Sequence, residues 1–236
     1  MNTLYIVVPA YNESENINRL IDDWYPIIES HNEEGLSRLV VIDDGSKDNT
    51  YELLKNIAKD KPLLIPVTKP NGGHGATVLY GYRYAVDSGA DYIFQTDSDG
   101  QTNPQEFEAF WQDREKFAAQ FGNRTQRGDG QQRALVEKVL CMILRIYFKV
   151  KLEDANAPFR LMTADYLRKY MKKMPEDYNL PNAVLTALGA YYNEAIDFKV
   201  ISFKPRQAGT NTINIKRIFK IGKQALVDFN NISKNL

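Results

Sequence analysis

Short apolar segments alternate with helical patterns through the first half of the chain. The apolar segments, which are rich in β-branched residues, are residues 4–8, 39–42, 63–67 and 92–94. The segments between them with the apolar spacing of helices are residues 15–30, 50–59, 76–88 and 104–115. Strands that are buried on both faces lose polar alternation, so the apolar segments predict a parallel sheet. The first half is therefore predicted to be a doubly wound α/β unit.

The second half of the chain has a less regular pattern. Strands are predicted at residues 117–121 and 196–203, helices at residues 134–149 and 180–191, and a flexible Gly/Arg/Gln-rich stretch at residues 122–133. The last predicted element is an amphipathic helix at residues 214–232, with Lys and Arg beside its apolar face. This pattern is typical of a helix lying at a membrane surface, and packing against its own domain is the alternative.

Composition narrows the class of protein. The chain has 236 residues, of which 43% are hydrophobic and 25% charged, as expected for one globular domain. Cys141 is the single cysteine of the sequence, which excludes a disulfide within the chain and suits a reducing compartment, so we expect a cytoplasmic protein. The amino terminus lacks the pattern of a secretory signal. The aliphatic runs are shorter than the roughly 18 residues that a membrane span requires, which predicts a soluble or peripheral protein.

The charge is unevenly distributed although 30 basic residues balance 30 acidic ones. Residues 199–236 hold eight Lys or Arg and one acidic residue, Asp228, for a local charge of about +7. This excess indicates an anionic partner such as a phospholipid surface, with the inner face of the cell membrane as the expected place. A solvated helix face is the alternative. No nucleic-acid partner is expected.

Polar clusters follow three of the predicted strands. The sharpest is Asp-Ser-Asp-Gly-Gln at residues 97–101, where Asp97 and Asp99 can converge on one hard divalent ion. Mg²⁺ or Mn²⁺ commonly binds through one or two carboxylates together with substrate phosphates, so a metal-bound diphosphate suits this cluster. A turn stabilised by Asp hydrogen bonds is the alternative. Since ligands of open α/β sheets bind outside the carboxyl ends of the strands, the clusters predict a binding crevice there.

The remaining clusters suit a nucleotide ligand. Asp43 and Asp44 follow the second strand and can accept hydrogen bonds from a ribose or a base. The glycine-rich segment at residues 71–75 precedes the third helix and allows a close approach of backbone to ligand. It lacks the third glycine of the dinucleotide fingerprint, and the chain has no phosphate-loop motif. A nicotinamide dehydrogenase and a P-loop kinase are therefore not expected.

Together, four motifs resemble those of the family 2 inverting glycosyltransferases of the GT-A fold. The similarity is greatest to dolichol-phosphate mannose synthases and bacterial polyprenyl-phosphate sugar transferases, and it covers about residues 3–210. The motifs are Val-Pro-Ala-Tyr-Asn-Glu at residues 8–13, Asp-Asp-Gly-Ser at 43–46, Asn-Gly-Gly-His-Gly at 71–75 and Asp-Ser-Asp-Gly-Gln at 97–101. The resemblance implies an α/β fold with a mixed, mostly parallel sheet, a nucleotide-binding half at residues 1–101 and an acceptor half at residues 102–212. Residues 213–236 would then form a separate basic amphipathic helix.

The resemblance also implies a donor site for a nucleotide-diphosphate sugar, with a UDP- or GDP-sugar expected. The residues assigned to this site are Pro9, Tyr11, Glu13, Asp43, Asp44, Asn71, Gly72, Gly73, Asp97 and Ser98. Mg²⁺ or Mn²⁺ would be held by Asp97, Asp99 and Gln101, facing the diphosphate. The expected ion would neutralise the departing nucleotide diphosphate.

Weaker matches point to an acceptor site. Gly-Asn-Arg at residues 122–124 resembles the family's Gly-Ser-Arg, and Asp-Ala-Asn-Ala-Pro-Phe-Arg at residues 154–160 resembles Asp-x-x-Ser-Gly-Phe-Arg. The residues assigned to binding of the acceptor and its phosphate are Arg124, Arg133, Arg160 and Arg206. Arginine suits this task because its guanidinium can bind phosphate through two hydrogen bonds, although Arg133 in a flexible stretch also suits a solvated surface.

The expected reaction is a single displacement that uses no protein nucleophile. Asp154, Asp99 and Arg124 are the residues assigned to catalysis. For a hydroxyl acceptor, Asp154 is the candidate general base. For a phosphate acceptor, which is already anionic, Asp154 would orient the groups around it. The acceptor is expected to be polyprenyl phosphate or a growing glycan, in the biosynthesis of a surface polysaccharide or a lipid-linked sugar. A sugar nucleotidyltransferase and a binding module without activity are the alternatives of other classes.

Overall fold

The structure is a computed structural model that describes residues 2–33, 35–127, 131–205 and 215–236. Its strands are β1 (Leu4–Ala10), β2 (Arg38–Asp43), β3 (Leu64–Thr68), β4 (Tyr92–Thr96), β5 (Ala119–Arg127), β6 (Phe159–Thr163) and β7 (Ile196–Phe203). Its helices are α1 (Ile17–Ser30), α2 (Thr50–Ala58), α3 (His74–Asp87), α4 (Phe107–Gln112), α5 (Gln131–Phe148), α6 (Ala164–Met171), α7 (Pro181–Tyr191) and α8 (Ile215–Lys234). None of the helices in these ranges has the length and apolar character needed to cross a bilayer.

The strands form one mixed sheet in the order β3-β2-β1-β4-β6-β5-β7. Strands β1 to β4 are parallel neighbours, whereas β6 runs antiparallel to both β4 and β5. All seven residues of β1 are buried, as expected for a strand covered on both faces. The prediction of a doubly wound unit in the first half is confirmed, and the carboxyl ends of β1, β2 and β4 lie side by side.

Two apolar layers cover the sheet because successive side chains of a strand point to opposite faces. Leu4, Ile6 and Val8 of β1 pack with the layer that contains α1 and α4, whereas Tyr5 and Val7 pack with the layer that contains α3 and α5 to α8. A compact aromatic group that includes Trp24 and Phe94 fills the first layer. These layers fix the strand ends at which the polar clusters lie.

The second half departs from the sequence prediction in two places. Strand β5 continues to Arg127, through part of the stretch predicted to be flexible, because it pairs with β7 beyond Asn123. Strand β6, which begins within the motif at residues 154–160, and helix α6, which follows it, were not predicted from the sequence pattern. The predicted terminal helix is present as α8, and its Phe229 is fully buried against Tyr147 and Phe148 rather than exposed.

Candidate active site

Asp44 closes the glycine-rich loop that precedes α3. Its carboxylate accepts hydrogen bonds from the main-chain N–H groups of Gly72 (2.8 Å) and Gly73 (2.9 Å) and pairs with the ammonium group of Lys69. The Asn71 side chain donates to the Asp44 carbonyl oxygen at 2.8 Å. With only 4% of its side chain exposed, Asp44 is occupied within the protein. It therefore shapes the loop, and these N–H groups point to Asp44 rather than to the crevice.

Asp43 also bonds within the protein. Its carboxylate accepts hydrogen bonds from the Thr68 hydroxyl (2.8 Å) and the Ser46 N–H (3.2 Å), and the residue is 2% exposed. The two acids at the end of β2 thus hold together the ends of β2, β3 and the loop before α3. The expectation that they bind a ribose or a base directly stays a prediction, and their described partners favour a role in shaping the site.

The segment after β1 is tied to the loop after β2. Asn12 has a left-handed backbone (φ 54°), donates its N–H to the Ser46 hydroxyl and accepts from the Lys47 N–H. Glu13 is buried and accepts a hydrogen bond from the Asn16 side chain. Tyr11 lies between the buried Ala10 and these links and is half-buried, so its ring is the accessible aromatic surface of this segment.

Asp97 and Asp99 lie at the end of β4 and keep part of their surface exposed. The Gln95 amide donates to Asp97 Oδ1 at 3.0 Å, and His74 Nε2 at the start of α3 lies 3.8 Å from the same oxygen. Asp99 accepts a hydrogen bond from the Gln101 N–H at 3.2 Å. These two acids are more accessible than Asp43 and Asp44, which makes them the better candidates for contact with a ligand.

A chain of hydrogen bonds between buried side chains orients Asp97 from the core of the protein. The Tyr82 hydroxyl donates to Asn182 Oδ1 at 2.7 Å, and the Asn182 amide donates to Gln95 Oε1 at 2.9 Å. Gln95 can then present only its N–H₂ group to Asp97, because its oxygen is taken by Asn182. All three supporting residues are almost fully buried, so the position of Asp97 is fixed by the core. Sequence reasoning missed this chain because its members are far apart along the sequence.

The side chains after β4 provide some, but not all, of the oxygen ligands that a hard divalent ion needs. Asp97 and Asp99 offer carboxylate oxygens, the ligands that Mg²⁺ and Mn²⁺ prefer. The Gln101 amide group is almost fully buried and donates to the Lys204 carbonyl at 2.9 Å, so Gln101 ties this loop to the end of β7. Among the residues that the structure describes, no group of three or more His, Cys, Asp or Glu side chains is placed to hold an ion. An ion at Asp97 and Asp99 would therefore take further oxygens from substrate phosphates.

Arg124 and Asp154, two of the residues assigned to catalysis, meet in a buried ion pair. Arg124 donates Nε–H to Asp154 Oδ2 (2.7 Å) and Nη2–H to Oδ1 (2.8 Å), a two-point contact, and its main-chain N–H adds a third bond. Asp154 is 3% exposed. Burial alone would raise the pKa of the Asp154 carboxyl, but the hydrogen bonds and charge of Arg124 outweigh burial and lower the pKa below its usual value.

Glu137 is a third member of this charge group and was not predicted. One of its carboxylate oxygens accepts the Ala155 N–H at 2.9 Å, and the other lies 3.3 Å from Arg124 Nη2. Glu137 lies on the inner face of α5, one turn before the buried Cys141. A single acid among apolar residues at helical spacing was the available sequence signal, since such an acid needs a buried partner.

The other predicted arginines fall in different places. Arg160 is fully buried, and its guanidinium donates to the carbonyl oxygens of Ala155, Ala157 and Asn182. This corrects its expected contact with an acceptor: β6 carries Arg160 into the sheet opposite Gln95, where it has no exposed surface. Arg133 is half-buried in the first turn of α5. Arg206 lies outside the described residues.

The chain belongs to a family of glycosyl transferases: residues 5–171 match the sequence model described as Glycosyl transferase family 2. A dolichyl-phosphate beta-glucosyltransferase of Trichomonas vaginalis is 40% identical over 106 residues, which cover 43% of this chain and 31% of that protein. An undecaprenyl-phosphate 4-deoxy-4-formamido-L-arabinose transferase of Pectobacterium carotovorum is 23% identical over 223 residues, covering 92% of this chain and 64% of that protein. The chain spans about a third of the first relative and under two thirds of the second.

The fold is also that of solved glycosyltransferases. Glucosyl-3-phosphoglycerate synthase of Mycobacterium tuberculosis, solved with Mn²⁺, UDP and glucosyl-3-phosphoglycerate, superposes with a TM-score of 0.69 at 16% identity, over 99% of this chain and 80% of that one. The predictions of family 2 and of the GT-A fold are therefore confirmed. Membership of this family disfavours the sugar nucleotidyltransferase alternative.

Proposed function

We propose that this chain transfers a sugar, with inversion, from a nucleotide-diphosphate sugar to a polyprenyl phosphate. The observation that carries the choice of acceptor is the Asp154–Arg124 pair. Both carboxylate oxygens of Asp154 accept hydrogen bonds from one guanidinium, and its pKa is lowered, so Asp154 is a poor proton acceptor. A phosphate acceptor carries its own negative charge and needs no base, whereas a sugar hydroxyl does. The relatives named for dolichyl and undecaprenyl phosphate support the same choice.

The donor is proposed to lie across the carboxyl ends of β1, β2 and β4. The half-buried ring of Tyr11 is suited to stack on the base, and the loop held by Asp44 forms the wall beside it. Asp97, held by Gln95, would bind an Mg²⁺ or Mn²⁺ ion together with Asp99. When bound, the ion supplies positive charge that stabilises the diphosphate as it leaves. The Mn²⁺ and UDP of the Mycobacterium tuberculosis structure support this arrangement.

In the proposed reaction, an oxygen of the acceptor phosphate attacks the anomeric carbon from the side opposite the diphosphate. The bond from that carbon to the diphosphate oxygen breaks, and its electron pair leaves with the nucleoside diphosphate. The configuration at the anomeric carbon is therefore inverted. Asp154 and Glu137 fix Arg124 at the acceptor side, so their role is to orient rather than to move a proton.

Two measurements on the purified chain test this proposal. Thermal stabilisation by UDP, GDP, CDP and dTDP, each with and without Mn²⁺, identifies the nucleotide, because a ligand that binds only the folded state raises its stability. Transfer from the matching radiolabelled nucleotide sugars to a polyprenyl phosphate in detergent then identifies the acceptor. We expect thermal stabilisation by one nucleotide to require Mn²⁺, and Asp97→Asn to abolish this Mn²⁺-dependent stabilisation along with transfer. Transfer to a glycan hydroxyl but to no polyprenyl phosphate would overturn the assigned acceptor.

Asp60→Asn is the matched control for the metal assignment. It makes the same chemical change at an exposed acid just after α2, away from the carboxyl ends of the strands. It should leave both the nucleotide shift and the transfer rate unchanged. A loss in this variant equal to that in Asp97→Asn would show a general effect of charge rather than a metal site.

A further inference from the structure

Helix α5 exposes a continuous apolar stripe. Leu135, Val139, Met142 and Ile146 follow one another at intervals of four, three and four residues, which places them on one helix face. Their exposed fractions are 63%, 42%, 55% and 68%. Single exposed apolar residues are common on protein surfaces, but a run of them along nearly three helical turns indicates a surface that binds something.

The opposite face of α5 already packs against the protein. Glu137, Cys141, Leu144 and Phe148 are buried at the same helical spacing. Part of α8 packs beside them, since Phe229 lies against Phe148. The stripe stays exposed with these neighbours in place, and α8 adds Leu226 and Val227, which are 40% and 51% exposed. The two adjacent helices therefore expose apolar side chains that the fold does not need for its own core.

The charged side chains beside the stripe are mostly basic. Within residues 133–148, the charged side chains that reach solvent are Arg133, Lys138 and Arg145, whereas the acid Glu137 is buried. Exposed Lys149 and Lys151 follow directly. The acids in the neighbouring segments are the exposed Glu153 and the half-buried Asp228, so cations are in excess around the stripe. An apolar helix face bordered by Lys and Arg is the pattern of a helix that lies in the interface of an anionic bilayer. A second copy of the chain fits less well, because a twofold contact along the stripe would bring these cations close to one another.

We propose that the stripe of α5, extended by Leu226 and Val227 of α8, docks on the surface of an anionic phospholipid bilayer. This assigns the docking surface to the middle of the chain, whereas the sequence pattern pointed only to the terminal helix. The proposal rests on the proposed function in that the acceptor would be held in the same bilayer. Glu137 links the docking helix to the acceptor motif, because it accepts the Ala155 N–H at 2.9 Å.

The test is co-sedimentation of the full chain with vesicles. One set contains phosphatidylcholine with about one third phosphatidylglycerol, and the other contains phosphatidylcholine alone. We expect the chain to pellet with the anionic set and much less with the neutral set. Ile146→Asp and Met142→Asp remove apolar contact area at exposed positions, so each should lower the partition coefficient about tenfold without disturbing the core.

Leu36→Asp is the matched control. Leu36 is 51% exposed, close to the value for Met142, and precedes β2, which lies next to the edge strand β3. It adds the same negative charge, so it should leave vesicle binding nearly unchanged. Failure of the wild-type chain to pellet with anionic vesicles would overturn the proposal, and so would equal losses in Leu36→Asp and Ile146→Asp.

Two further readouts separate this proposal from others. Sedimentation velocity without lipid should give a monomer, and a dimer that Ile146→Asp dissociates would assign the stripe to a second copy. Transfer to polyprenyl phosphate in detergent should be the same for Ile146→Asp and the wild type, since Ile146 lies outside the donor and acceptor residues. Vesicle binding without any such transfer would overturn the proposed function but leave the docking surface intact.

Discussion

The proposed donor and acceptor sides of the crevice use buried carboxylates in different ways. On the donor side, Asp44 is satisfied by two main-chain N–H groups and Lys69, all from the loop that follows the neighbouring strand. On the acceptor side, Asp154 is satisfied mainly by the guanidinium of Arg124, with Glu137 as a second anion. The first arrangement shapes a loop, whereas the second keeps three charged side chains together in the protein interior. Loss of a charge should therefore lower the free energy of unfolding less on the donor side than on the acceptor side.

The largest effect is expected from Arg124→Met. This change removes the cation but keeps the length of the side chain, so the buried Asp154 and Glu137 lose the positive charge of the Arg124 guanidinium. Loss of one partner of a buried ion pair typically lowers the free energy of unfolding by about 3 to 5 kcal/mol. Urea unfolding followed by circular dichroism measures the change. Arg168→Met, which breaks the exposed pair with Asp165, is the control and should change the value by less than about 1 kcal/mol.

An Arg124→Met variant as stable as the Arg168→Met variant would contradict the comparison. It would mean that water or another cation reaches Asp154 readily, so that the Asp154 carboxylate does not depend on Arg124 for its stabilisation. The proposed orienting role of Asp154 would then lose its physical basis.

A smaller loss is expected from Asp44→Asn. Asparagine keeps one oxygen to accept from Gly72 or Gly73 but gives up the attraction to Lys69. Hydrogen bonds to charged groups contribute about 1.5 to 3 kcal/mol, so we expect a decrease of about 2 kcal/mol in the free energy of unfolding. The thermal shift produced by the preferred nucleotide should also shrink, since the loop would be less ordered. If the Asp44→Asn variant is destabilised but keeps the full thermal shift with the nucleotide, the order of this loop does not contribute to donor binding.

The donor side was the easier one to predict from sequence. Its acids lie directly after strands with strong apolar patterns, and topology alone brings the carboxyl ends of parallel strands together. The order and type of the first eight elements follow from the same pattern. Sequence reasoning did not show that Asp43 and Asp44 bond within the protein, because their partners Thr68 and Gly72 belong to other segments.

The acceptor side was harder because its structure depends on contacts between distant residues. Strand β5 was predicted to end at residue 121, since its continuation is polar, but pairing with β7 extends it. Arg160 was assigned to the acceptor from its residue type and motif, yet pairing of β6 with β4 places it in the core. The Arg124–Asp154 pair joins residues 30 positions apart, and no local pattern indicates such a contact.

Gln95→Leu tests whether the core sets the position of Asp97. The change leaves the Asn182 amide without its acceptor and Asp97 without its donor. A buried polar group that loses its partner costs about 1 to 3 kcal/mol, and we expect a loss near the lower end because Leu is close in volume. The Mn²⁺-dependent part of the nucleotide thermal shift should fall as well. Gln112→Leu, at an exposed position at the end of α4, should change neither quantity.

The smallest effect is expected in the pH dependence of stability, which compares a buried acid, Asp154, with a partly exposed one, Asp113. The pKa of Asp154 is lower in the folded protein than in the unfolded chain, so the folded state binds fewer protons there. Its contribution is therefore present above the unfolded pKa and is lost as the pH falls through the folded value. Asp154→Asn should lose less stability than the wild type when the pH is lowered from about 7 to about 3.

Asp113, whose side chain is 25% exposed, is the partly exposed acid for the same titration. Hydrogen bonds from Lys116 and Lys199 lower the pKa of Asp113 to about 2, so Asp113→Asn should also weaken the loss of stability in acid. Salt screens exposed charges far more than buried ones. Repeating the titration at about 1 M salt should therefore diminish the difference between wild type and Asp113→Asn while preserving that for Asp154→Asn. Equal sensitivity to salt would place Arg124 and Asp154 in contact with solvent and contradict the burial of this ion pair.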